Sequence, residues 1–106
     1  MSEIFELDHE NSFIGDVEIP LPGKQKPKIL TLKFKWMSKT DKLEYLKNVS
    51  GKDDLTALKE IVLGWENVKA KFTDDSLAKL LDNYGNSGLV ILNYWIAETA
   101  KAKEKN

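Results

Sequence analysis

His9 is the one histidine of the chain, and it sits in a polar, acidic segment with no serine or carboxylate spaced around it as a nucleophile, base and acid set would be. It reads as a solvated surface residue. Asp53-Asp54 and Asp74-Asp75 are paired carboxylates of the kind that divide acid and base roles in hydrolases. Each pair opens an apolar stripe at helical spacing, however, where capping and compensation of the helix dipole already call for acids. Gly85-Asn86-Ser87-Gly88 has two glycines around small polar residues but lacks the lysine that follows in a phosphate-binding loop, and it fits a turn between helices. There is no cysteine, which removes thiol catalysis, disulfides and thiolate metal sites, and no Asp-x-Asp-x-Asp-Gly loop occurs. Asn48-Val49-Ser50 matches a glycan acceptor, a match without consequence in a cytosolic chain. The expectation is a protein with no catalytic residue, no metal and no cofactor.

The chain has 106 residues with 42% hydrophobic content, enough for one modest core, so residues 1–106 are expected to form a single domain. No basic and apolar leader opens the sequence, and the longest apolar run, Leu89 to Ala97 interrupted by Asn93, is too short to cross a bilayer; neither secretion by a signal peptide nor membrane contact is expected. All 16 basic residues are lysine and the net charge is −1, so the bidentate fork that reads bases is missing and no field favours nucleic acid as partner. The charge is ordered in blocks. Met1 to Pro20 carries six acids and no base, whereas Leu21 to Thr40 carries six lysines and no acid.

Apolar spacing divides the domain into an acidic start with a β-hairpin (1–36) and a helical part with a lysine-rich tail (37–106). Phe13, Val17 and Ile19 alternate with Asp16 and Glu18, and Leu30, Leu32, Phe34 and Trp36 alternate with Thr31, Lys33 and Lys35: two strands, 13–19 and 30–36, joined by a loop rich in proline. Paired antiparallel, they would set Asp16 and Glu18 against Lys33 and Lys35, cross-strand pairs worth ~0.2–1 kcal/mol each. Ser38 or Thr40 caps a first helix bearing Leu43, Leu46 and Val49. Asp53 or Asp54 caps a second with Leu55, Leu58, Ile61, Val62 and Trp65 on one stripe. Thr73 caps a third with Leu77, Leu80, Leu81 and Tyr84, and a last helix runs from Leu89 to about Lys103. The fold class is α+β, mainly helical: a two-stranded hairpin followed by about four helices.

The last helix is apolar on nearly every side, more than so small a body can enclose, so Leu89, Ile91, Leu92, Tyr94, Trp95 and Ile96 are candidates to meet a partner as well as to fill the core. Trp65, beside Gly64, would fold back onto the stripe of the second helix. Val68 and Phe72 would bracket the top of the third, as in a hydrophobic staple.

Ile61-Val62-Leu63-Gly64-Trp65-Glu66-Asn67-Val68, followed by Phe72-Thr73-Asp74-Asp75-Ser76-Leu77 and Leu80-Leu81, resembles the tail assembly chaperones of long-tailed, non-contractile bacteriophages. In that family a Gly-Trp-x-x-Val element leads to a Phe-Ser/Thr capped helix ending in paired leucines. The likeness extends to the acidic start, to Ile19-Pro20-Leu21-Pro22-Gly23 and to the lysine and alanine tail. It departs at Lys69-Ala70-Lys71, which has no glycine where relatives turn. The resemblance marks Gly64, Trp65, Val68, Phe72, Thr73, Leu77, Leu80 and Leu81 as fold-determining. It implies a non-enzymatic, self-associating late protein of the infected host's cytoplasm that binds the tape-measure protein while tail tube subunits polymerise, and that is absent from the finished virion. A longer product made by ribosomal slippage at Glu104-Lys105-Asn106 would touch the tail tube protein. The competing reading is a head-tail completion or tail-terminator subunit retained in the particle, which would show more strand.

Overall fold

A computed structural model describes residues 4–101. Strands β1 (Ser12–Ile19) and β2 (Lys28–Lys35) form an antiparallel hairpin, followed by helices α1 (Lys39–Val49) and α2 (Asp54–Lys59), strand β3 (Val62–Trp65), and helices α3 (Asp74–Asn83) and α4 (Ser87–Thr99). The fold is α+β as the spacing implies, but the sheet has three strands, in the order β1-β2-β3.

The added strand comes from the segment expected to continue the second helix. Leu58, Ile61, Val62 and Trp65 satisfy a helical stripe, and over so short a run that period is not separable from a strand's. What decides is the open edge of β2, whose backbone groups need partners. The chain leaves α2 at Lys59. The Lys35 N–H then donates to the Ile61 carbonyl at 2.8 Å, and β3 pairs Val62 with Phe34, Gly64 with Lys33 and Trp65 with Leu32, with a bulge between Lys33 and Phe34. β-Branched Ile61 and Val62 suit the pleat and are buried.

Register also corrects the expected charge pairs. Asp16 lies opposite Thr31 and Glu18 opposite Ile29, while Lys33 and Lys35 face Ile14 and Ser12. The Asp16 carboxylate accepts from the Thr31 hydroxyl at 2.8 Å, and among the described residues no ion pair bridges β1 and β2.

One face of the sheet carries the core. Val17, Ile19, Leu30, Leu32 and Phe34 are buried there with Leu58, Ile61, Val62 and Leu77, and Ile91 and Trp95 of α4 complete it. Ser38, not Thr40, caps α1, its hydroxyl accepting the Asp41 N–H at 3.1 Å. The buried residue of α1 is Tyr45, with Leu46 and Val49 half-buried, whereas Leu43 faces solvent. Asp53 caps α2 by accepting the Thr56 N–H at 2.9 Å. β2 ends before Trp36, which is exposed and stacks on the His9 ring with centroids 4.8 Å apart. α4 begins at Ser87, so the second half of the expected Gly85 to Gly88 turn belongs to its first turn. The helix packs closely on α2 there: a Cβ added at Gly88 would collide with the Asp54 side chain. Lys103 and the candidate slippage residues Glu104, Lys105 and Asn106 lie outside the described residues.

Candidate functional site

The segment from Gly64 to Leu81 forms one wall of a groove. Beyond Trp65 the β2 edge is completed by a backbone donor and then a side chain. The Glu66 N–H donates to the Thr31 carbonyl at 2.9 Å, the Asn67 Oδ1 accepts the Thr31 N–H at 3.0 Å, and the Asn67 Nδ2 donates to the Ile29 carbonyl at 2.9 Å. Asn67 thus stands in for a further residue of β3 and holds Val68 beside the end of β2. Asn67 is a part of the Gly-Trp motif that residue spacing does not mark; an amide two residues past a strand is the signal that points to it.

Trp65 does not fold onto a helical stripe. It sits half-buried on β3, its indole N–H donates to the Ala70 carbonyl at 2.8 Å, and its ring meets Phe72 edge-on at 5.1 Å. That bond closes the turn through Lys69-Ala70-Lys71 without a glycine. Thr73 and Ser76 then form a reciprocal cap on α3: the Thr73 hydroxyl accepts the Ser76 N–H at 3.0 Å, and the Ser76 hydroxyl accepts the Thr73 N–H at 2.8 Å. Phe72 precedes this cap and Leu77 is the fourth helical residue, the spacing of a hydrophobic staple. Leu77 is fully buried, and Leu80 and Leu81 are half-buried against the core.

These elements leave one end of the core open. Ile19, Leu30, Val68, Leu80 and Tyr84 line a groove of about 410 Å³, joined by the exposed lysines Lys28 and Lys69, and no carboxylate lines it. Tyr84, expected on the inner stripe of α3, is instead its exposed C-cap residue.

The six candidates on α4 separate by face. Ile91 and Trp95, one turn apart, are fully buried; the Trp95 indole N–H donates to the Lys35 carbonyl at 2.9 Å and its ring lies edge-on to Tyr45 at 5.3 Å. The Tyr45 hydroxyl in turn donates to the Ala57 carbonyl at 2.6 Å, and burial, reinforced by Glu60, pushes its pKa up to about 12. Tyr94 is half-buried, stacked on Phe34 at 5.6 Å over Gly15, and burial raises its hydroxyl pKa as well. Leu89 is 64% exposed, whereas Leu92 and Ile96, at i+3 and i+7 from it, are half-buried against the core, so the outward edge of α4 is Leu89 with the uncovered sides of those two.

A family model described as phage tail assembly chaperone matches residues 1–106, the whole chain. The chain belongs to that family. No curated protein and no solved structure matches it. The Gly-Trp to Leu-Leu segment of this tail assembly chaperone extends the sheet, turns the chain, caps α3 and supplies part of the groove lining.

The polar residues weighed for chemistry make local contacts. His9 is exposed on Trp36. Asp53 caps α2, and the hydrogen bonds from Thr56 hold its carboxyl below the usual range; Asp74 accepts from Lys59 at 2.8 Å, a contact that raises the lysine's pKa. Among the described residues no group of three His, Cys, Asp or Glu could hold a metal ion, and no helix is long and apolar enough to cross a membrane.

Proposed function

We propose that this tail assembly chaperone acts without catalysis: in the cytoplasm of the infected host it covers apolar surface of the tape-measure protein until tube subunits enclose that surface, and then leaves the particle. The whole-chain family match carries this reading. The outward edge of α4 supports it physically: exposed Leu89, with half-buried Leu92 and Ile96 at i+3 and i+7, has the spacing by which one amphipathic helix lies along another. The tape-measure protein is long and helical in such phages, so many copies would bind along it, with the tail tube protein recruited next. Capture of tape-measure fragments by the tagged chaperone, together with mass spectrometry of purified virions, tests the proposal. Capture with no chaperone in the virion is the expected result. Stoichiometric chaperone in the particle would replace this reading with that of a structural ring subunit.

A further inference from the structure

We infer that the groove at the open end of the core receives the N-terminal segment Ile4-Phe5-Glu6-Leu7 of a second copy of this chain. The segment precedes β1 and places three large apolar side chains in solvent, Ile4 at 88%, Phe5 at 90% and Leu7 at 96% exposure. Exposure on that scale is costly for a monomer and calls for a cover. The groove offers an apolar floor of Ile19, Leu30, Val68 and Leu80.

Charge matches the two. Glu6, Asp8 and Glu10 surround the apolar residues of the segment, and no lysine occurs before Lys24. The groove carries Lys28 and Lys69 and no acid, and neither lysine pairs with a carboxylate among the described residues. Each partner thus supplies the sign the other lacks.

The chain's own segment stands clear of the groove. The carbonyl of Asn11 accepts the Trp36 N–H at 2.8 Å, which fixes the start of β1 at the Lys35 end of the sheet. From Asn11 the chain extends at most about 20 Å to Phe5. The groove runs from Leu30, paired with Val17 about 20 Å from Asn11 along the strand, to Ile19 and Lys28 about 27 Å away. Seating Phe5 in its own groove would need residues 5–11 at full extension and would pull His9 off Trp36, so occupation joins neighbouring copies, either reciprocally in a dimer or head to tail in a chain of subunits. This inference concerns self-association and stands whether or not the tape-measure reading holds.

The test is complementation between two full-length variants, Phe5→Asp and Val68→Asp, followed by size-exclusion chromatography with light scattering. Phe5 is solvent-exposed, so Phe5→Asp leaves the fold intact; circular dichroism checks that Val68→Asp does too, and Lys28→Glu with Lys69→Glu is a surface alternative if it does not. The wild type is expected to associate, and each variant alone to be monomeric with its association weakened by at least about tenfold. Mixing the two should restore a one-to-one complex, because the Phe5→Asp variant keeps a working groove and the Val68→Asp variant a working segment. A monomeric wild type, or oligomers unchanged by Phe5→Asp, would overturn the inference. So would loss of tape-measure capture by Val68→Asp with no change of oligomeric state, which would give the groove to that partner instead.

Discussion

The two ends of the sheet are built from equally apolar residues and end up in opposite states. At the Lys35 end, Trp95 lies edge-on to Tyr45 and Phe34 stacks between Phe13 and Tyr94, and the polar tips of Tyr45 and Trp95 find backbone carbonyls, Ala57 for Tyr45 and Lys35 for Trp95. At the Lys28 end the side chains are chiefly aliphatic, α3 stops at Asn83, and a groove of about 410 Å³ remains. Apolar content therefore does not decide closure. What decides it is whether a helix crosses the end and whether its side chains are large enough to fill the space.

Breaking the closed end should have the largest effect. Trp95→Ala removes the side chain that spans from α4 to β2 and leaves the Lys35 carbonyl without its donor, and should cost about 3–5 kcal/mol. Urea denaturation would measure it, and for a domain of this size that loss approaches the whole stability. A loss under about 1 kcal/mol would mean that the closed end is not where stability resides. Gly15→Ala comes next: an added Cβ would lie 2.5 Å from the Tyr94 ring, so the ring must move, at about 1–3 kcal/mol. Tyr94→Leu in the same chain should relieve part of that cost, and strictly additive losses would show that the close approach is not the cause.

Tyr45 sharpens the comparison through pH. Its hydroxyl titrates near 10 in an unfolded chain and is pushed up to about 12 in the folded one. The stabilisation is therefore complete below pH 10 and lost as pH rises toward 12, because the unfolded state gives up its proton first. Tyr45→Phe should cost about 1 kcal/mol at neutral pH, from the lost bond to Ala57, and should flatten this part of the alkaline decline relative to wild type. Equal alkaline slopes in the two proteins would remove Tyr45 as the source.

Much of this was legible in residue spacing. The hairpin strands, the Thr73 cap and the inward stripe of α3 follow from period and cap chemistry alone, since each is set by neighbours in sequence. The third strand was not, because four residues are too few to distinguish a strand from a helix and the deciding influence is the distant edge of β2. Pairing register was hidden for a similar reason. The long connection between β1 and β2 does not fix which residue opposes which, so Asp16 meets Thr31 and not a lysine. Spacing marked α4 as over-apolar but could not say which side was outward. That is settled by Gly15 and Gly88, whose missing side chains let the helix settle against β1 and α2 with Ile91 and Trp95 inward. The groove was invisible because it depends on Asn67 acting as backbone.

The smallest expected change in stability, and the most informative for function, lies on the outer face of the helix that closes the core. Leu89 stands six residues before Trp95 in α4, yet one is 64% exposed and the other fully enclosed. Leu89→Lys removes little buried area and keeps a good helix former, so the main cost is a positive charge in the first turn of α4, and the melting curve should shift by the equivalent of less than about 1 kcal/mol. Capture of tape-measure fragments should nonetheless fall, because a charge placed in the middle of an apolar contact must either lose its water or hold the surfaces apart. A folded Leu89→Lys chaperone that captures the fragments as well as wild type would move the binding surface off α4. The uncovered apolar residues of the opposite end, around Val68, would then be the ones to substitute.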